Sequence, residues 1–524
     1  ICVSVQALSP LNVALRNIQD LYFHMLEWGC AWTLLTAWLA IVLTTVLTVR
    51  SFCAKSGGPK NKLTAPGPGG VPILGYLPFL QSPYHVTFKE LSKQYGPIIK
   101  LRLGCKDVLV LNDLTSIKEG LSNPDVLYRP TDFIFRHLGI TGIASINGEQ
   151  WQVNRRYCFH VLRDLGFARK SMEKHIQEEV QSFMAVLTSG KKEPMLVAHT
   201  LASSVANNIT ALVFGERYEL GDPKGRHVER MLSKLLREAH FFSLTDFLPA
   251  LRYVAAHLPT TQLYAMKSVL QELSRFIRNE VREREGAMEE HLDQDFIDGY
   301  LRKIEENKGK DSHFTLSTLV GSTVNFYSAA TNTVRSAVLW NLYIAASDPD
   351  GQQSRIQSEI DAAIGRKTAP AWEDRRRTPF TMACILEALR WRTTAPLGLQ
   401  RAAGRDTVIC GYHVPAGTMV VANLWGLHND PAYWPEPSKY DPTRFLKADG
   451  TEVDEKPAAF LPFGMGRRQC PGETLALMEV FLYVATTLQR FKVLPEEGQT
   501  ISLVTAPAVI SVVNDAQRLR FIPR

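Results

Sequence analysis

A sustained apolar run, Trp28 to Val49, holds roughly 22 positions without a charge, enough to cross ~30 Å of hydrocarbon as a helix. Trp28, Trp32 and Trp38 add rings suited to an interface. Arg50, Lys55, Lys60 and Lys62 follow the run, whereas Arg16, Asp20 and Glu27 precede it. The cation excess on the C-terminal side predicts a retained signal-anchor over 28–49, with 1–27 lumenal and the body cytoplasmic. A cleaved signal peptide is the weaker reading, because the run is long for an h-region and no small-residue cleavage site follows. A buried core helix is weaker still. Ala65-Pro-Gly-Pro-Gly-Gly-Val-Pro72 cannot be helix or strand, since proline lacks a donor and glycine loses too much entropy. It closes a basic linker and hinge over 50–72, after which 73–524 forms the main body.

Within that body, Ile98-Ile-Lys-Leu-Arg-Leu-Gly104 alternates apolar and polar positions. Val108-Leu-Val-Leu111 follows after a turn signal, so the two predict a small sheet. From Leu165 to about Lys310 glycine and proline are sparse and charged tracts such as Arg282-Glu-Arg-Glu285 read as solvated helix faces. The more apolar 240–249 segment suits a membrane-resting lid or buried packing equally. Thr315 to Ser347 runs roughly 33 positions without proline and predicts one long buried helix with a small, hydroxyl-rich middle. Val408–Pro415 and Gly417–Ala422 read together as a hairpin, and a second hairpin is expected around 503–510. The expected fold is mainly α with a small β region.

Composition adds little beyond an ordinary globular balance of 45% hydrophobic and 21% charged residues. The net charge of +7 lacks a dense basic run, so it suits an anionic membrane or an acidic protein partner rather than nucleic acid. The eight cysteines lie far apart without a CxxC pair, which places the body in a reducing compartment.

One cysteine stands out by its surroundings. Phe460-Leu-Pro-Phe-Gly-Met-Gly-Arg-Arg-Gln-Cys-Pro-Gly-Glu-Thr-Leu-Ala476 sets Cys470 in a glycine-rich loop just before a helix-forming run. Amides near a helix N-terminus favour an anion, so Cys470 is placed to be a thiolate of the kind that holds haem iron. A lone cysteine is otherwise usually a small buried hydrophobe. Trp151 and Arg155, four apart, can present an indole N–H and a guanidinium to one carboxylate, or simply pack. Glu387 and Arg390, three apart, would ordinarily be a minor surface bridge.

The spacing of Phe463, Gly466, Arg468, Cys470 and Gly472 reproduces F-x-x-G-x-R-x-C-x-G, and the chain here resembles the cytochrome P450 family. The resemblance runs from about Pro66 to Arg524, with five motifs in order, and is closest to animal microsomal members of the family-2-like group. It implies a haem-thiolate domain with haem b between the long helix and the Cys470 loop, Cys470 being the iron ligand. Trp151 and Arg155 match W-x-x-x-R and, with Arg401 and Arg468, would secure the haem propionates. Ala329-Ala-Thr-Asn-Thr333 is similar to A-G-x-[D/E]-T, which makes Thr333 the oxygen-side hydroxyl. Two departures follow. Ala330 replaces a glycine, and Asn332 replaces an acid that helps relay protons, which an amide cannot do.

Glu387 and Arg390 match E-x-x-R, with Arg444 of Pro442-Thr-Arg-Phe445 as third member of a structural network. Ala144, Ser145, Ala329, Leu397, Gly398, Leu399 and Ala508 are the implied substrate contacts. The activity implied is insertion of one oxygen atom into a lipophilic substrate (steroid, fatty acid, terpenoid or xenobiotic). NADPH electrons would arrive through NADPH-cytochrome P450 reductase, with cytochrome b5 as a further partner, at the endoplasmic reticulum membrane. The other readings are a reductase-independent hydroperoxide isomerase or lyase, and a non-enzymatic haem- or sterol-binding membrane protein.

Overall fold

The computed structural model describes residues 63–131, 134–166, 170–219, 222–238, 244–285, 295–310, 312–504 and 513–524, together with positions 33, 35–40, 42–44 and 46. The helices that position the site are α1 (Gly148–Asp164), α2 (Lys170–Ser189), α3 (Val197–Phe214), α4 (Pro223–Glu238), α5 (Gln262–Glu285), α6 (Leu316–Ser347), α7 (Pro379–Trp391), α8 (Leu424–His428) and α9 (Glu473–Arg490). Small sheets complete a mainly helical fold, as expected.

Helix α6 is the spine. Thr315 caps it by accepting a hydrogen bond from the Thr318 amide, and no proline interrupts it before Ser347. Apolar and small residues occupy nearly every face, so it is buried along most of its length between α3, α5 and α9. Helix α9 is likewise buried along most of its length, and its first turn follows directly on the Cys470 loop.

The main sheet has the order β1 (Ile98–Leu103), β2 (Lys106–Leu111), β6 (Met419–Ala422), β3 (Arg401–Ala402). β1 and β2 form the antiparallel pair expected from their alternation. The expected pairing of Val408–Pro415 with Gly417–Ala422 is not formed. Instead β4 (Thr407–Ile409) and β5 (Tyr412–Val414) make their own hairpin, turning at Cys410 and Gly411. β6 lies parallel to β2, Val108 opposite Met419, and antiparallel to β3, Arg401 opposite Val420. A parallel pair needs a long crossover, and here most of the helical body supplies it. β7 (Phe491–Pro495) pairs with β8 (Leu519–Pro523), whereas the expected 503–510 hairpin, with Ala508, falls largely outside the described residues.

Of the apolar run 28–49, the described positions are helical, and Leu35, Trp38, Leu39 and Leu43 are exposed. Among the described residues no helix is long and apolar enough to cross a membrane.

Candidate functional site

Three pieces of chain converge on the site. The first is the Cys470 loop. Gly466 takes a left-handed φ of 74°, and a Cβ there would lie 2.3 Å from the Leu121 carbonyl, so only glycine allows the loop to close on its neighbour. The Phe463 carbonyl accepts the Cys470 amide at 2.9 Å, folding the loop over itself, and Phe463 is half-buried. Cys470 is exposed on its open side. Packing on the other side nevertheless raises its thiol pKa, against the Gly472 amide, which bonds to it and lowers the pKa. Burial thus opposes the charge that the helix terminus favours. A coordinated metal cation would deprotonate it outright.

The second piece is a cluster of guanidiniums. Helix α1 carries Trp151 and Arg155 one turn apart, and Arg155 donates to the Gln469 carbonyl beside Cys470 at 2.8 Å. Arg401, fixed in β3, donates to the Leu121 and Met465 carbonyls at 2.8 and 2.9 Å. Arg468 lies 3.8 Å over the Trp151 ring and donates to the Leu127, Ile143 and Ile146 carbonyls. Arg129, which sequence reasoning did not single out, donates to the Ala144, Leu399 and Gln400 carbonyls.

Burial and mutual repulsion push the guanidinium pKa values down, Arg468 to about 7, Arg129 to about 9 and Arg401 to about 10. Among the described residues, Arg155, Arg401 and Arg468 have no carboxylate at ion-pair distance. The Trp151 Nε1 is buried without a hydrogen-bond partner. Packed cations together with an orphaned donor fit a ligand that brings carboxylates of its own.

The third piece is the middle of α6. On this otherwise buried helix Ala329 is exposed, and Ala330 and Thr333 are half-buried, so one face looks into open space. The Thr333 hydroxyl donates to the Ala329 carbonyl at 2.7 Å. Asn332 is turned away, buried, with its amide donating to the Leu232 carbonyl of α4 at 3.5 Å.

The segment 140–147 ties α6 to the arginines. Its Ile143 and Ala144 amides donate to Ser322 and Asn325, while its Ala144 carbonyl accepts from Arg129. Gly142 and Gly321 permit this approach, since a Cβ on Gly142 would lie 2.2 Å from the Gly321 carbonyl. Ser145 is buried, and its hydroxyl donates to the Ile140 and Gly142 carbonyls. Gly398, with φ 54°, sends its neighbours apart: Leu397 is buried in the sheet cluster and Leu399 is exposed.

Behind the loop, Glu387 and Arg390 on α7 are completely buried and joined by two hydrogen bonds of 2.6 and 2.7 Å. Arg444 stands 3.5 Å from Glu387, at ion-pair distance but out of hydrogen-bond alignment. The three expected members of the network are thus in one place.

Comparison with known proteins gives a concordant picture. The family model for Cytochrome P450 matches residues 65–520. Cytochrome P450 18a1 of Drosophila melanogaster is 29% identical over 471 residues, covering 88% of this chain and 86% of the relative. Cytochrome P450 2H2 of Gallus gallus is 32% identical, covering 88% and 93%. Cytochrome P450 2F5 of Gorilla gorilla gorilla is 33% identical over 470 residues, covering 87% and 93%.

Proposed function

Since this chain belongs to the cytochrome P450 family, we propose that it is a haem-thiolate monooxygenase with Cys470 as the iron ligand. The observation that carries this is that Arg155, Arg401 and Arg468, beside the Cys470 loop, have no carboxylate at ion-pair distance among the described residues, with the Trp151 indole aimed at no protein acceptor. Arg129, Arg155, Arg401, Arg468 and Trp151 would hold the two propionates of haem b, bringing the missing negative charge. Phe463 and Gly466 shape the loop from which the Cys470 sulfur would hold the iron, and the Gly472 amide would draw off part of its charge. When bound, the haem supplies dioxygen activation and the acceptor for electrons.

The chain's own residues do the remainder. Ala329 and Ala330 leave room for an apolar substrate against α6. Thr333 holds a proton on the oxygen side and can turn it from the Ala329 carbonyl towards a water. Asn332, buried and bonded to α4, orients the helix rather than relaying protons. The balance is substrate plus O2, two electrons from NADPH and two protons, giving hydroxylated product and water. Exposed Arg156 and Arg467 offer a docking surface for acidic groups of NADPH-cytochrome P450 reductase. The 28–49 run, with its exposed apolar helix face, would anchor the body at the endoplasmic reticulum membrane. The substrate class is lipophilic.

The test follows labelled O2 into products of a lipophilic panel and its hydroperoxides, with and without NADPH and reductase. Label in product only with reductase is expected. Fast, label-free rearrangement of hydroperoxides without NADPH would instead establish the isomerase reading.

A further inference from the structure

We propose that His428 is a positioning residue for the Cys470 loop, coupling the buried Glu387–Arg390 pair to the chain that presents the thiol. This rests on the reading of Cys470 as the iron ligand.

His428 closes α8 and is completely buried. Its Nε2 accepts the Leu461 amide at 3.0 Å, so that nitrogen carries no proton. The proton must sit on Nδ1, which donates to the Thr393 hydroxyl at 2.8 Å, and the hydroxyl in turn donates to the Arg390 carbonyl at 2.8 Å. The Arg390 guanidinium donates back to the His428 carbonyl at 2.8 Å. The imidazole thus closes a ring of hydrogen bonds with the charged pair on one side and grips the ligand loop on the other.

That grip is placed where the loop begins. Phe460 stacks on the imidazole at 6.0 Å between centroids. The Leu461 carbonyl accepts the Gly464 amide, and the Phe463 carbonyl accepts the Cys470 amide. Displacing Leu461 would therefore shift both turns that aim Cys470. A hydrogen-bonded imidazole does this where a hydrophobic side chain of the same size could not, because it fixes a direction as well as a volume.

The test compares His428→Gln and His428→Asn in the full-length, haem-loaded protein. Glutamine extends its amide towards the Nε2 position and can accept from Leu461, whereas asparagine reaches only the Nδ1 position. The reduced, carbon-monoxide-bound spectrum reports thiolate ligation by a red-shifted band. The asparagine variant is expected to lose that band at least about fivefold faster on incubation than the glutamine variant, the factor for one lost hydrogen bond. Equal rates, whether both fast or both slow, would overturn the proposal.

Hydrogen exchange at the Leu461 amide of the wild-type holoenzyme decides the matter even if a variant fails to fold. Protection comparable to the α9 core is expected, and exchange at unprotected rates would overturn the proposal. A wild-type protein without the red-shifted band, but with a protected Leu461 amide, would instead refute Cys470 as the ligand.

Discussion

Two charged clusters lie on either side of the Cys470 loop, and they are built on opposite principles. In the Glu387–Arg390–Arg444 network the charges are matched within the protein. Arg390 spends its donors on Glu387 and on the His428, Pro437 and Lys439 carbonyls, and Glu387 also accepts the Asp441 amide. In the Arg155–Arg401–Arg468 cluster, cation faces cation, carbonyl oxygens give only partial relief, and the Trp151 indole has no acceptor. A completed buried network specifies geometry. An incomplete one marks where a ligand finishes the structure. Burial alone does not separate the two, because Arg390, Arg401 and Arg468 are all buried. The distinction lies in whether their charge is answered.

The sharpest way to break this contrast is to unbalance the matched side. Glu387→Ala strands Arg390 in the core, at a cost of about 3–5 kcal/mol, and is expected to abolish haem incorporation. A normal haem content, measured by absorbance per protein, would show that the network is not scaffold. On the unmatched side, Arg468→Leu removes a repelled cation together with its hydrogen bonds to three carbonyls, so the cofactor-free fold should lose less than Glu387→Ala costs. Haem release to a scavenger protein should nonetheless accelerate by about 10–100-fold, equivalent to about 1.5–3 kcal/mol of lost charged hydrogen bonds. Unchanged release would mean that the cluster does not hold carboxylates.

The two sides should also differ with pH. Burial, then the nearby Arg390 charge, lowers the His428 pKa to about 3, against an ordinary value of 6.5. Between those values the unfolded chain binds a proton that the native chain refuses, so stability falls as the solution is acidified from 6.5. From pH 6.5 to 4.5 the loss is about 2 kcal/mol, and His428→Gln should remove that part of the slope in thermal unfolding. An identical pH profile for the two proteins would contradict a neutral, matched core. The smallest effect is expected from Trp151→Phe, which deletes the orphaned donor and keeps an aromatic face beneath Arg468. It should speed haem release by up to about tenfold, or about 0.5–1.5 kcal/mol, with no change in the fold of the cofactor-free chain.

Much of this was legible in the residue order. Threonine capping and the absence of proline delimit α6. A three-residue spacing puts Glu387 and Arg390 on one helical face. The glycines around Cys470 announce a backbone that must pass close to something. Arg129 and His428 gave no comparable signal. Neither spacing nor periodicity distinguishes Arg129 from an exposed arginine or His428 from a packing histidine, since their partners are carbonyls and amides of segments distant in the chain.

The misjudged hairpin has the same origin. Met419–Ala422 is a good strand by composition, but its partners are Arg401–Ala402 and Lys106–Leu111, the latter far back in the chain. The sequence by itself determined the local elements, the order of the motifs and the family, because sterics, capping and helical spacing act over a few residues. Only the tertiary structure decided which strands β6 joins, which buried arginines have a carboxylate beside them, and that Asn332 and Thr333 face different neighbours. Those outcomes depend on which surfaces exclude water together, and many segments of similar pattern could have served.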